Sequence, residues 1–215
     1  MTRSHKALIV GGGIGGLSTA IGLRRAGIHA DIVEIKKQWM VYHVGIIVHA
    51  NFLRAMVALD IADKCVAAGF AYQHIRHYDP RGNFLSALEG QRLAGPDYPA
   101  NLGLSRPALH RVLSETAIGA GASVRLGVTV SRLVQSDDKV NVEFTDGTVA
   151  DYDIVIGADG VHSQIRSMVF GHEHQPKFTG QGVWRYTIPR PKDLDHLVVY
   201  VSEQSGRAAG QGWFR

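Results

Sequence analysis

Cysteine is almost missing from this chain: Cys65 is the only one. No disulfide can close within it, and a reducing, cytoplasmic compartment is the expected setting. No run approaches the ~20 apolar residues that a membrane-spanning helix needs. The apolar run Ala7 to Val10 is too short for a signal peptide and ends in glycines. Repeats and low-complexity tracts are absent. Charge of one sign is not concentrated either. The formal net charge is +4, and the longest basic runs are the pairs Arg24-Arg25 and Lys36-Lys37. A nucleic-acid partner is therefore not expected. Metal-ligand spacings are poor. His74 and His77 fall in a predicted strand, where i and i+3 face opposite ways, and His172-x-His174 has no cysteine nearby. With 215 residues and 45% hydrophobic content, the chain can bury a core as one large domain or two small ones.

What the chain does have is glycine at particular places. Ala7 to Val10 predicts a short buried strand. Ile14, Leu17 and Ile21 then recur at helical spacing, and Gly27 is placed to stop that helix. Ala30 to Ile35 predicts a second strand, so residues 7 to 35 make a βαβ unit. Between strand and helix lie Gly11, Gly13, Ile14, Gly15 and Gly16. Gly11 permits a tight turn, Gly13 removes a side chain that would strike a bound pyrophosphate, and Gly16 lets the helix pack closely. The helix start adds free N–H groups and about half a unit of positive charge. Glu34 closes the second strand, where a carboxylate can accept from both ribose hydroxyls and repel a 2′-phosphate. The context points to a site for an ADP-containing dinucleotide, with NAD and FAD both open.

Further along, Asn51 predicts the cap of a helix through Leu59, followed by a short one to Ala68. Strands are expected over Tyr72 to Tyr78 and Asn83 to Leu88, around the turn Asp79-Pro80-Arg81-Gly82. Glu89 to Gly103 is rich in Gly and Pro and predicts a loop. Ser105 should cap a helix whose apolar face is Leu109, Val112, Leu113, Thr116 and Ala117, ended by Gly121, with His110 partly exposed. A β-rich region begins at Val124 to Val130. Val140, Val142 and Phe144 alternate, and Asp146-Gly147 makes a hairpin turn. Tyr152 to Ile156 is a buried strand expected beside the βαβ unit. Beyond Phe178 the texture suggests strands Gly182 to Ile188 and His196 to Ser202. A domain boundary is placed near residue 175. Trp184 and Tyr186 should share one strand face and Arg185 the other, where Arg185 could pair with a substrate carboxylate.

After that strand comes Asp159-Gly160-x-x-Ser163-x-x-Arg166. With the glycine motif, Glu34, and Ser105-Arg106-Pro107-Ala108-Leu109 between them, it resembles the class A FAD-dependent aromatic hydroxylases, the p-hydroxybenzoate and salicylate hydroxylase group. The resemblance covers essentially the whole chain. It implies an α/β fold: a Rossmann-like FAD-binding domain with a β-meander insertion over 1–175, and part of an antiparallel-sheet substrate domain over 176–215. Residues 70–100 would contribute to the substrate side.

It also implies roles. Gly11, Gly13 and Gly16 would hold the FAD pyrophosphate and Glu34 the ribose. Arg106 would reach the flavin side, Asp159 would sit near the pyrophosphate with Ser163 and Arg166 bracing its turn, and Val130 would touch adenine through its backbone. Val44-Gly45-Ile46-Ile47 matches the loop under the isoalloxazine ring. The implied reaction is hydroxylation of a small aromatic substrate, with NADH or NADPH as reductant and O₂, through a flavin C4a-hydroperoxide. Self-association is compatible with it.

Two features depart from the family. His43 and His49 stand where small or neutral residues are usual. The Gly-Asp-Ala fingerprint is absent, since the sequence holds no Gly-Asp dipeptide. The chain is therefore expected to be the N-terminal portion of a longer hydroxylase. Another flavoprotein on the same domain, such as a halogenase or prenyl reductase, and a nucleotide-binding module without redox chemistry are the alternatives.

Overall fold

The computed structural model describes residues 5–39, 41–186, 188–189, 191–202 and 207–211, the last five by backbone alone. In chain order the elements are β1 (Lys6–Val10), α1 (Ile14–Arg25), β2 (His29–Glu34), β3 (Gly45–His49), α2 (Ala50–Ala58), α3 (Ala62–Ala68) and β4 (Phe70–Tyr72). Next come β5 (His74–Tyr78), β6 (Phe84–Glu89), β7 (Asn101–Ser105), α4 (Arg106–Gly119), β8 (Ser123–Leu126), β9 (Val130–Gln135) and β10 (Val140–Phe144). The last are β11 (Val149–Tyr152), β12 (Ile154–Gly157), α5 (Gln164–Phe170), β13 (Leu197–Ser202) and β14 (Arg207–Gln211). The chain divides into two compact units, Met1–Met40 with Leu113–Val183, and Val41–Val112 with Trp184–Arg215.

The first unit is built on a parallel sheet in the order β12-β1-β2-β8. Its central strand Ala7–Val10 is essentially solvent-free, which is why it is a continuous apolar run rather than an alternating one. Helix α1 buries Gly16, Leu17, Ala20 and Ile21. Gly27, at φ +77°, ends it by donating its N–H to the Arg24 carbonyl. Arg24 ties the far ends of α1 and α4 together: Nε donates to Ala120 O at 2.9 Å and Nη1 to Ile28 O at 3.2 Å. Leu8, Val10 and Val33 of the parallel sheet pack with Val130, Val142, Phe144 and Tyr152 of an antiparallel meander, order β11-β10-β9, and with Ile165 of α5. The expected pairing of the strand before Asp159 with the first βαβ unit is observed, Ala7 opposite Ile154 through Val10 opposite Gly157.

The second unit holds two small sheets, β3-β7-β4 and β14-β13-β5-β6. Several expectations fail here, among them the single strand over Tyr72 to Tyr78, which divides into β4 and β5 of different sheets. Another concerns the loop over Glu89 to Gly103. Its last three residues begin β7, the central strand of the first sheet, paired with β3 and β4. Gly69 serves close approach to it: a Cβ there would lie 2.7 Å from Leu102 Cδ1 and 2.8 Å from the Gly103 carbonyl oxygen. The helix expected to be capped by Asn51 begins two residues earlier, with extended His49 as its N-cap and no side-chain capping bond. Finally, no strand forms over 182–186 or at 188 among the described residues, and Trp184 is fully exposed with Tyr186 at 92%. Those two aromatics therefore share no strand face. The cap by Ser105 is as expected, its Oγ accepting from Ala108 N at 3.2 Å. His110 is buried rather than partly exposed.

Candidate dinucleotide site

The first unit brings the glycine loop, Glu34 and the Asp159 turn to one end of the parallel sheet. Gly11 leaves β1 at φ +113°, and a Cβ there would fall 2.4 Å from the Ala158 carbonyl oxygen and 2.9 Å from the Asp159 nitrogen. The two motifs are thus packed backbone to backbone. Gly11 N–H donates to Val33 O and Ala158 N–H to Val10 O, each at 2.8 Å, so the turn is held from both neighbouring strands.

Gly16 is a second point of close approach. A Cβ there would lie on the Gly11 carbonyl oxygen, at 1.9 Å, so the start of α1 can sit on the loop only without a side chain. Gly13 and Gly15 differ: nothing lies within 4 Å of a Cβ on either. The protein does not need those two glycines for its own packing, and the space they leave is open. Gly13 is the N-cap of α1 and supplies no side-chain capping bond, so the first N–H groups of a 12-residue helix, Ile14 among them, face that space with the positive end of the helix dipole. A diphosphate supplies the acceptors and the negative charge this end lacks.

The Glu34 carboxylate is turned toward the loop. Oε2 accepts from Gly12 N at 2.8 Å and Oε1 from Lys36 N at 3.0 Å. Each oxygen keeps a lone pair for a further donor such as a sugar hydroxyl. Asp159 spends its carboxylate on its own turn: Oδ1 accepts from Ser163 Oγ at 2.5 Å, and Oδ2 from Gln164 N at 2.7 Å and Ile165 N at 3.1 Å. Ser163 Oγ caps α5 by accepting from Arg166 N at 2.9 Å, and Arg166 Nη2 donates to Val161 O at 2.9 Å. The bracing by Ser163 and Arg166 is present as expected. Gly160, at φ +84°, makes the turn and has no neighbour within 4 Å of a Cβ. The Val130 side chain is buried in the core cluster, leaving only its backbone for a ligand. The cradle fits a dinucleotide: open glycine positions, an uncapped helix start and a carboxylate at the sugar end.

Arg106, Trp184, Arg185 and Tyr186 belong to the second unit. Arg106 is exposed, and its backbone N–H donates to Val44 O at 2.8 Å. Arg185 Nη1 reaches Gly45 O at 3.4 Å. The segment matched to a loop, Val44 to Ile47, is mostly strand, since β3 begins at Gly45.

Sequence reasoning passed over Gly12 and Trp39. The signal was available: three glycines in a row, of which the fingerprint explains only the outer two.

Residues 4–206 match the family model described as FAD binding domain. The chain is 33% identical over 199 residues to the FAD-dependent urate hydroxylase of Klebsiella oxytoca, covering 90% of this chain and 49% of that protein. It is 32% identical over 192 residues to the 3-amino-4-hydroxybenzoate 2-monooxygenase of Streptomyces cremeus, covering 87% and 47%. The chain spans about half the length of the curated relatives it matches. Among solved structures, the p-nitrophenol 4-monooxygenase of Pseudomonas putida superposes with a TM-score of 0.71 at 22% identity, over 78% of this chain and 44% of that one. The tetracycline destructase Tet(55) does so with a TM-score of 0.62 at 26% identity, over 79% and 42%.

Proposed function

The chain belongs to the FAD binding domain family, and on that premise we propose that it is the cofactor-binding part of a monooxygenase that hydroxylates a small aromatic substrate with NADH or NADPH and O₂. The observation that carries the reading is the cradle itself: a glycine loop with open positions 13 and 15, an uncapped α1, and Glu34 bonded to the loop. The named activities of the relatives support the choice of aromatic hydroxylation.

Gly11, Gly13, Ile14, Gly15 and Gly16 would receive the diphosphate, Glu34 the ribose and the Val130 backbone the adenine. Asp159 and Gly160 would keep the loop in place from behind. Arg106, exposed at the start of α4, is proposed to serve the flavin side, and Arg185 to meet a carboxylate on the substrate beside Trp184 and Tyr186. When bound, the flavin supplies the redox chemistry with O₂, and the protein supplies position and electrostatics. We also propose the domain division at about residue 175 and a cytoplasmic setting. Among the described residues no helix is long and apolar enough to cross a membrane.

The test is titration of the purified chain with FAD, followed by flavin absorption after gel filtration. Retained flavin supports the cofactor assignment; a colourless protein with no saturable binding contradicts it. Substrate-stimulated NAD(P)H oxidation in a version extended to the relatives' full length tests the monooxygenase reading.

A further inference from the structure

Gly12 is not part of the glycine fingerprint, yet a side chain there is excluded by the protein itself. A Cβ on Gly12 would fall 2.5 Å from Cζ3 and 3.0 Å from Cη2 of Trp39, and 3.2 Å from Glu34 Cβ. The edge of the indole and the Glu34 side chain therefore both pack against Gly12. The intervening chain is shaped for this. After Glu34 it bends through exposed residues 35–38, held by the Lys36 N–H on Glu34 Oε1 and by Gly127 N–H donating to Lys36 O at 2.9 Å. It then returns a half-buried tryptophan to the loop. The ring thus packs on the same residue whose N–H donates to Glu34 Oε2 at 2.8 Å.

We infer that Trp39 is a positioning residue that walls the adenosine side of the cofactor cradle and holds the Gly12 peptide on Glu34. This rests on the cradle being a FAD site. The ring fixes the carboxylate that would grip the ribose, and an indole beside that carboxylate offers an apolar surface to the adenine or ribose face.

The experiment uses ADP, which carries adenosine and diphosphate without a flavin. Trp184→Phe and Trp213→Phe together leave Trp39 as the sole tryptophan. Saturating ADP is expected to shift or quench its emission by at least about a tenth. Trp39→Ala should raise the ADP and FAD dissociation constants about tenfold, whereas Trp39→Phe, which keeps a ring, should stay within about threefold. Gly12→Ala, which must push the ring aside, should cost as much as Trp39→Ala, and the double variant no more than either alone.

Emission blind to ADP in a protein that binds it overturns the inference. So do wild-type FAD affinity in Trp39→Ala and additive losses in the double variant. A melting temperature lowered in Trp39→Ala with ADP affinity unchanged assigns the ring to folding alone and also overturns it. Wild-type protein that binds neither ADP nor FAD overturns the cofactor reading itself, and the Trp39 assignment with it.

Discussion

Oε2 of Glu34 accepts the Gly12 N–H at 2.8 Å, so the carboxylate ending the second strand and the loop ending the first are one hydrogen-bonded unit. Hydrogen bonds to a charged group are worth roughly 1.5–3 kcal/mol. Glu34→Gln keeps the shape, loses the charge and turns an N–H₂ toward one of its two donors. Its FAD dissociation constant is expected to rise about tenfold or more, since each 1.4 kcal/mol is a factor of ten. Fluorescence titration with FAD checks this, and an unchanged constant would detach Glu34 from the ligand.

Asp159 is a structural group before it is a ligand. Its carboxylate accepts from Ser163 Oγ, Gln164 N and Ile165 N. Removing a comparable helix cap costs about 1–2 kcal/mol. Asp159→Ala should lose about that much in urea unfolding even with no cofactor present. Stability equal to wild type would show that the turn does not depend on the carboxylate.

Tyr72 carries a buried hydroxyl for which no partner is found among the described residues, and burial pushes its pKa up to about 12. An unsatisfied buried polar group costs about 1–3 kcal/mol, so Tyr72→Phe should raise the unfolding midpoint. A fall would mean that an ordered water satisfies the hydroxyl.

The Cys65 thiol is fully buried, and burial raises its pKa to about 11. The folded value lies above the unfolded one of ~8.5. The stabilisation linked to this group is thus complete below about pH 8.5 and is lost as pH rises through about 11. At pH 8 the native thiol should react with a disulfide reagent only at the rate of local opening, and at once in urea. Rapid reaction in the native state would contradict the burial.

The glycine loop was legible because it is defined by local sterics. Position 11 needs φ +113°, and position 16 abuts a carbonyl oxygen; only glycine meets either demand. Strand β1 was legible because burial on both faces leaves an apolar run; β12 carries a similar run but lies at the sheet edge with Ile154 half exposed, so the burial expected of it does not hold. Strand β7 was not legible. Asn101-Leu-Gly-Leu-Ser lies behind a Gly- and Pro-rich stretch, and its place is set by pairing with β3 and β4 and by the bare Gly69 beside it, relations only tertiary structure shows. His49 as the cap of α2 was equally hidden, because its extended backbone is set by pairing with Asn101 across the sheet. Residues 184–186 have strand-like composition, and composition alone fixes no pairing partner.

Gly13 decides most directly whether this loop is a cofactor cradle. A Cβ there meets nothing within 4 Å and the backbone is extended, at φ −80°, so the fold can accept a valine. The cost to the free protein is about 1 kcal/mol, the usual penalty for an apolar residue at an N-cap. Calorimetric titration of FAD into wild type and Gly13→Val measures the other half. Unfolding near the wild-type temperature with FAD affinity lowered at least about a hundredfold is expected. A folded variant that binds FAD as tightly as wild type would show that no diphosphate lies there.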